Sequence, residues 1–226
     1  MTDSELVEET ITFVKETLQD AEGGHDWFHI QRVFNNSILI ARTEKVDLLV
    51  ISLGALLHDI ADAKFHDGDE SVGPKMAKAF LESLEVDKKT INHVVKIIKH
   101  ISYKNSLDKG KKKKFNSLEL QVVQDADRLD AIGAIGIARA FNYGGYKNRA
   151  MHDPHIPPKL KMSKSEYKKS DAPTINHFYE KLLLLKDKMN TKTGKELAEQ
   201  RHQFMLDYLK QFYKEWNPLA IRGVEN

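Results

Sequence analysis

The chain has 226 residues, 41% of them apolar and 30% charged, which suits one sizeable globular domain and excludes a disordered or collagenous chain. Its 35 basic and 33 acidic side chains leave a net charge of +2, too balanced to argue by itself for a nucleic-acid partner. There is no cysteine, so disulfides, thiol catalysis and thiolate metal sites are excluded together, and any metal must be held by His, Asp or Glu.

Leu6, Ile11, Val14 and Leu18 recur at helical spacing, and Thr2 with Glu5 fits a capping box, so a first amphipathic helix is expected from Thr2 to about Gln19. After the Gly23-Gly24 break, Asp26 is the expected N-cap of a second helix whose inward stripe is Ile30, Val33, Phe34, Ile38 and Ala41. His29 lies at the edge of that stripe and His25 one turn before it. Asp47 is placed to cap a third helix, apolar nearly all round from Leu48 to Leu57 and therefore central in the fold. That stretch is far too short to span a bilayer, and acidic residues follow Met1 where a signal sequence would be basic and then apolar. The expected location is the cytoplasm, with no membrane partner. The third helix delivers His58 and Asp59 side by side, and neither group is tolerated in an interior unless paired, hydrogen-bonded or metal-bound.

A polar, turn-rich span follows with Asp62, Lys64, His66, Asp67 and Asp69, reading as the rim of a site. Pro74 suits the first turn of a helix to about Leu84, and Asp87 starts another whose core face is Ile91, Val94, Val95, Ile98 and Ile101. His93 and His100 project away from that face, toward solvent or a cleft. The basic run from Asp108 reads as a solvated loop. QVVQDADRLDAIGAIGIARAF then reads as one apolar helix carrying Asp125, Asp127 and Asp130, with Gly133 and Gly136 allowing close packing. From Asn142 to Pro173 the pattern dissolves into Gly, Pro, Lys and Ser, as in a loop or lid. Helical periodicity returns over Thr174 to Met189 and from about Thr191 to Trp216. No alternating strand pattern is present, so the fold is expected to be all-α.

His29, His58, Asp59 and Asp127 are the polar groups that this reading turns inward. Two neutral imidazoles and two carboxylates carry a charge of about −2, which suits a divalent cation with open positions for water and substrate. Ligands of nitrogen and oxygen without sulfur favour Mn²⁺, Fe²⁺, Co²⁺ or Mg²⁺ over a structural zinc.

The ordered set HxxRV (His29 to Val33), HDIAD (His58 to Asp62) and DADRLD (Asp125 to Asp130) resembles the HD-domain metal-dependent phosphohydrolases, and the chain is similar over almost its whole length to small bacterial members acting on nucleotides. The resemblance implies an HD-type helical bundle with additional C-terminal helices: one domain over residues 1–226, with an HD core at about 20–145, an irregular loop at about 142–173 and C-terminal helices at about 174–216. It implies one divalent metal, manganese first and magnesium, iron, cobalt or nickel as alternatives, held by His29, His58, Asp59 and Asp127. Of the three aspartates in DADRLD the family pattern puts the ligand on the one before Arg, leaving Asp125 and Asp130 to support the site or the packing. The implied reaction is attack of metal-activated water on a phosphate ester or phosphoanhydride, most simply of a nucleotide such as a nucleoside triphosphate.

Asp62, one turn past His58, is placed to take the proton from water or return one to the leaving oxygen. Lys64 would neutralise phosphate charge, His25 would hydrogen-bond the same phosphate, and His177 and Lys181, at i, i+4, would reach a polyphosphate tail. Each has a bland counterpart: His25 as a helix-terminal residue, Asp62 as a loop carboxylate, Lys64 as a solvated lysine. Arg32 reads as a structural ion-pair partner of Asp127 or a neighbour. His93 and His100 stand about two turns apart, too far to share one ion, and His66, His152 and His155 have no nameable partner. The rival readings of the whole chain are a nucleotide sensor without turnover and, less favoured, an RNA-binding protein using the basic stretches.

Overall fold

The structure, a computed structural model, describes residues 1–19, 26–61, 69–101, 115–162, 166 and 170–218. Among them are nine α-helices and no strand: α1 (Asp3–Thr17), α2 (Trp27–Ala41), α3 (Leu48–Leu57), α4 (Val72–Ser83), α5 (Lys88–His100), α6 (Leu118–Asp130), α7 (Gly133–Tyr146), α8 (Thr174–Glu180) and α9 (Lys192–Trp216). Two 3₁₀ turns, Leu182–Leu184 and Lys186–Lys188, bridge α8 to α9. No helix among the described residues is long and apolar enough to cross a membrane.

The helix starts follow the expected chemistry. Thr2 and Glu5 form the reciprocal capping box of α1. Asp26, Asp47 and Asp87 each accept backbone N–H bonds at the starts of α2, α3 and α5. Pro74 falls in the first turn of α4, where its missing N–H costs nothing.

Every residue of α3 from Val50 to Leu57 is buried, and the helix packs on α1, α2, α5 and α6. Ten residues are too few for a helix to persist alone in water, so this burial is what holds α3 and fixes the residues at its end. Helix α6 packs on α2, α3, α5, α7 and α9. The layout brings the first turn of α2, the end of α3 and the second half of α6 together.

Three boundaries differ from expectation. The single helix read over Gln121 to Phe141 is two, α6 and α7, because Gly133 takes φ +75° and lets the chain turn. A Cβ on Gly133 would lie 3.0 Å from the Arg201 side chain, and one on Gly136 only 2.3 Å from the Ala131 carbonyl, so both glycines are there for close passage. The irregular stretch accordingly begins after Tyr146 rather than at Asn142. The helix expected over Thr174 to Met189 stops at Glu180, where Lys181 takes φ −145° and ψ −56°. Leu182 and Leu185 still reach the core, because a 3₁₀ turn repeats every third residue.

Candidate metal centre

His29 sits in the first turn of α2, held there by the Asp26 cap, which accepts its backbone N–H at 2.9 Å. Its ring is buried, and its Nδ1 lies 2.8 Å from Asp130 Oδ2. His58 follows the last residue of α3, with its Nδ1 2.8 Å from the Ala55 carbonyl. A carbonyl and an ionised carboxylate only accept, so in both rings Nδ1 carries the proton and Nε2 keeps its lone pair. The two rings stand 5.3 Å apart at 68°. Both Nε2 atoms approach Asp127 Oδ1, at 3.7 Å from His29 and 3.9 Å from His58. Each of His29, His58 and Asp59 offers a donor atom within 4.8 Å of the other two.

Two donors each about 2.1 Å from one ion stand at most about 4.2 Å apart. The separations of 3.7 and 3.9 Å already satisfy that limit. His29, His58 and Asp59, two of them neutral imidazoles with the right tautomer, form a group that could hold a divalent cation, and Asp127 Oδ1 approaches both imidazoles.

Asp130 is the support behind His29. Burial works against its charge, but the hydrogen bonds from His29 and Arg32 and the Arg139 charge together hold its carboxyl well below the usual carboxylate range. Arg32 donates from Nε at 2.6 Å and from its terminal nitrogen at 3.0 Å, and Arg139 donates to the same carboxylate. Burial in turn pushes the His29 imidazole down, against the pull of Asp130, and keeps it neutral, the form that binds metals. Arg32 thus pairs with a neighbour of Asp127, as one of the two expected options.

Asp125 does something else. It is fully buried and accepts the backbone N–H of Asn190 at 2.9 Å, that of Thr191 at 2.7 Å and the Thr191 hydroxyl at 2.8 Å. Thr191 is the N-cap of α9, so Asp125 ties that helix to α6.

His25, Asp62, Lys64 and His66 lie outside the described residues. His177 is half-buried on α8, and burial, reinforced by the charges of Lys181 and Arg149, pushes it down to about 3. It is neutral at physiological pH and can serve a phosphate by hydrogen bonding, not by charge. Lys181 ends α8 with a non-helical backbone, yet its N–H still bonds to the His177 carbonyl at 3.0 Å, and its charge, together with that of Arg149, acts on the His177 ring. His93 lines a cleft, 2.9 Å from the Ser117 hydroxyl, while His152 packs against Phe212, Tyr213 and Trp216. Arg139 was missed by sequence reasoning. An arginine inside the apolar run AIGIARAF was the signal available.

The family model described as HD domain matches residues 27–132, the span that carries all four candidate ligands. YpgQ of Bacillus subtilis is 38% identical over 218 residues, covering 95% of this chain and 96% of that protein. The crystal structure of an HD-superfamily hydrolase from Bacillus thuringiensis is 44% identical and superposes with a TM-score of 0.75 over 96% of this chain and 99% of its own. Bacillus subtilis YpgQ in complex with ADP superposes with a TM-score of 0.73 at 36% identity, covering 95% of this chain and 97% of its own. This chain belongs to the HD-domain superfamily of metal-dependent phosphohydrolases.

Proposed function

We propose that the chain hydrolyses a phosphoanhydride or phosphate ester of a nucleotide, with one divalent cation, Mn²⁺ in the first instance, held by His29, His58, Asp59 and Asp127. The observation that carries this reading is the pair of imidazoles whose Nδ1 atoms are both tied back while both Nε2 atoms approach Asp127. When bound, such a cation lowers the pKa of water and polarises a phosphoryl oxygen. The protein's part is to hold the imidazoles neutral and in one tautomer through Asp130 and the Ala55 carbonyl, and to present two carboxylates beside them. Asp62 takes the proton from the attacking water, and His25 hydrogen-bonds the phosphate. Lys64, Lys181 and His177 receive the phosphates. The nucleotide part of the reading is supported by the ADP bound to the Bacillus subtilis relative.

The test is to incubate the purified protein with Mn²⁺ and a panel of nucleoside mono-, di- and triphosphates and to resolve the products. Release of phosphate or pyrophosphate, abolished by His58→Ala and by chelator, is expected. Tight nucleotide binding without any product would overturn turnover and favour a sensor. Oligonucleotide binding that falls steeply with salt and survives Asp127→Ala would favour the RNA reading.

A further inference from the structure

At the other end of the HD core lies a cleft that the metal centre does not use. It has a volume of about 530 Å³ and is walled by α5 on one side and by Phe115 and Ser117, leading into α6, on the other. Ser117 caps α6 ten residues before Asp127, which at 1.5 Å per residue puts the cleft about 15 Å along that helix from the metal centre.

The cleft is cationic by construction. Lys88, Lys89 and Lys96 line it together with His93 and Asn92, and among the described residues no carboxylate belongs to its lining. Two acids next to these residues are already engaged. Asp87 caps α5 by accepting the N–H of Lys89 and Thr90. Glu119 lies 3.4 Å from His93 and accepts the Asp47 backbone N–H at 3.2 Å. Lys88, Lys89 and Lys96 bring three positive charges to the cleft. Lys88, Asn92 and Lys96 recur every fourth residue, so they form one stripe with a repeat of about 6 Å along the helix. One aromatic ring completes the lining: Phe115, half-buried, packed edge-on by His93 and with the Lys96 ammonium 5.5 Å from its centroid.

A stripe of cations beside a single ring matches a ligand with several phosphates and one base. Single-stranded RNA sites array several aromatic platforms for successive bases, and among the described residues this lining has one, Phe115. The volume is within the range of about 300 to 1,000 Å³ usual for small-molecule sites. We propose that this cleft binds a nucleoside di- or triphosphate at a second site, its phosphates on the α5 lysines and its base against Phe115. The proposal does not depend on turnover at the metal centre.

The experiment titrates ADP into His58→Ala protein in chelator, so that the metal centre is disabled, and follows both heat and the imidazole resonances of His93. Saturable binding that shifts the His93 signals is expected. The exposed-face double change Lys89→Glu with Lys96→Glu should weaken it by about ten-fold or more, with an unchanged circular dichroism melt. Phe115→Ala should weaken ADP by about five-fold or more and leave inorganic pyrophosphate unaffected. Absence of saturable binding, or binding indifferent to the lysine changes, overturns the proposal. So does pyrophosphate binding as tightly as ADP, or binding of an oligoribonucleotide alone.

Discussion

Asp130→Asn isolates the support behind the metal centre without touching a metal-facing atom. The aspartate receives His29, one Arg32 nitrogen and Arg139 on Oδ2, and Arg32 Nε on Oδ1. Asparagine has one acceptor oxygen, so whichever way its amide turns, an NH₂ group faces a donor and two arginines lose their counter-charge. The remedy open to His29 is to move its proton to Nε2, which removes the lone pair a cation needs. Outer-shell partners of this kind are worth about 10- to 100-fold in metal affinity, or about 1.4 to 2.7 kcal/mol. The assay is titration of metal-free protein with Mn²⁺ near neutral pH, with Asp125→Asn as the comparison. Asp125 holds the start of α9 through buried hydrogen bonds. Its replacement should lower stability by about 1 to 3 kcal/mol, but metal affinity should stay within about two-fold. The reasoning is refuted if Asp130→Asn, still folded, binds Mn²⁺ like the parent, or if the two variants weaken it equally.

Chelation should lower the melting temperature of metal-loaded protein. An ion present at 100 times its dissociation constant contributes about 2.7 kcal/mol, or about 5 to 10 °C for a chain of this size; an unchanged melt after verified metal removal would contradict a cation joining α2, α3 and α6. His177 is held in its neutral form down to about pH 3, whereas its unfolded value is 6.5. Its folded value is depressed, so the unfolded chain takes the proton first and stability falls as pH drops from 6.5 toward 3. The slope is about 1.4 kcal/mol per pH unit at most. His177→Gln should flatten the loss of stability measured by urea melts between those limits, and parallel curves would refute the assignment. Gly133→Ala should destabilise by about 1 to 3 kcal/mol, because φ is +75° and the new methyl would press on Arg201. A melt equal to the parent would show that the turn can relax.

His29, His58 and Asp59 became candidate ligands through local pattern, a capped amphipathic start for the first and an apolar run ending in His58-Asp59 for the others, whereas among the aspartates of α6 the resemblance put the candidate ligand on Asp127. What the sequence did not show is which of Asp125 and Asp130 backs His29 and which holds the start of α9. In a helix turning 100° per residue, Asp125, Asp127 and Asp130 point in three directions, and only the positions of α9 and α2 decide which partner each meets. The break between α6 and α7 was equally hidden. Gly133 announces conformational freedom, but a glycine inside an apolar helix and one opening the next look alike in a single sequence. The end of α8 was missed because Phe178, Leu182 and Leu185 are core residues under either helical or 3₁₀ spacing. Of the charges acting on His177, that of Lys181 lies at the i, i+4 spacing, whereas that of Arg149 comes from far away in the chain, where no spacing rule reaches.

Electrostatic balance explains why the centre can be assembled before a cation arrives. Asp130 is the buried carboxylate of the set, and it is matched by Arg32 and Arg139, so its charge is compensated whether or not metal is present. Asp127 keeps about a third of its side chain accessible, at 36%, and Asp59 is likewise only half-buried, so water can solvate both when no ion does. The imidazoles cost little, because each is neutral and already hydrogen-bonded at Nδ1. The fold therefore neutralises the buried charge internally and leaves the two accessible carboxylates within reach of water. This division predicts that metal-free protein stays folded and helical, with the loss on chelation confined to a lower melting temperature. Collapse of the helical signal at room temperature on metal removal would show that Asp130 and its arginines do not hold the site by themselves.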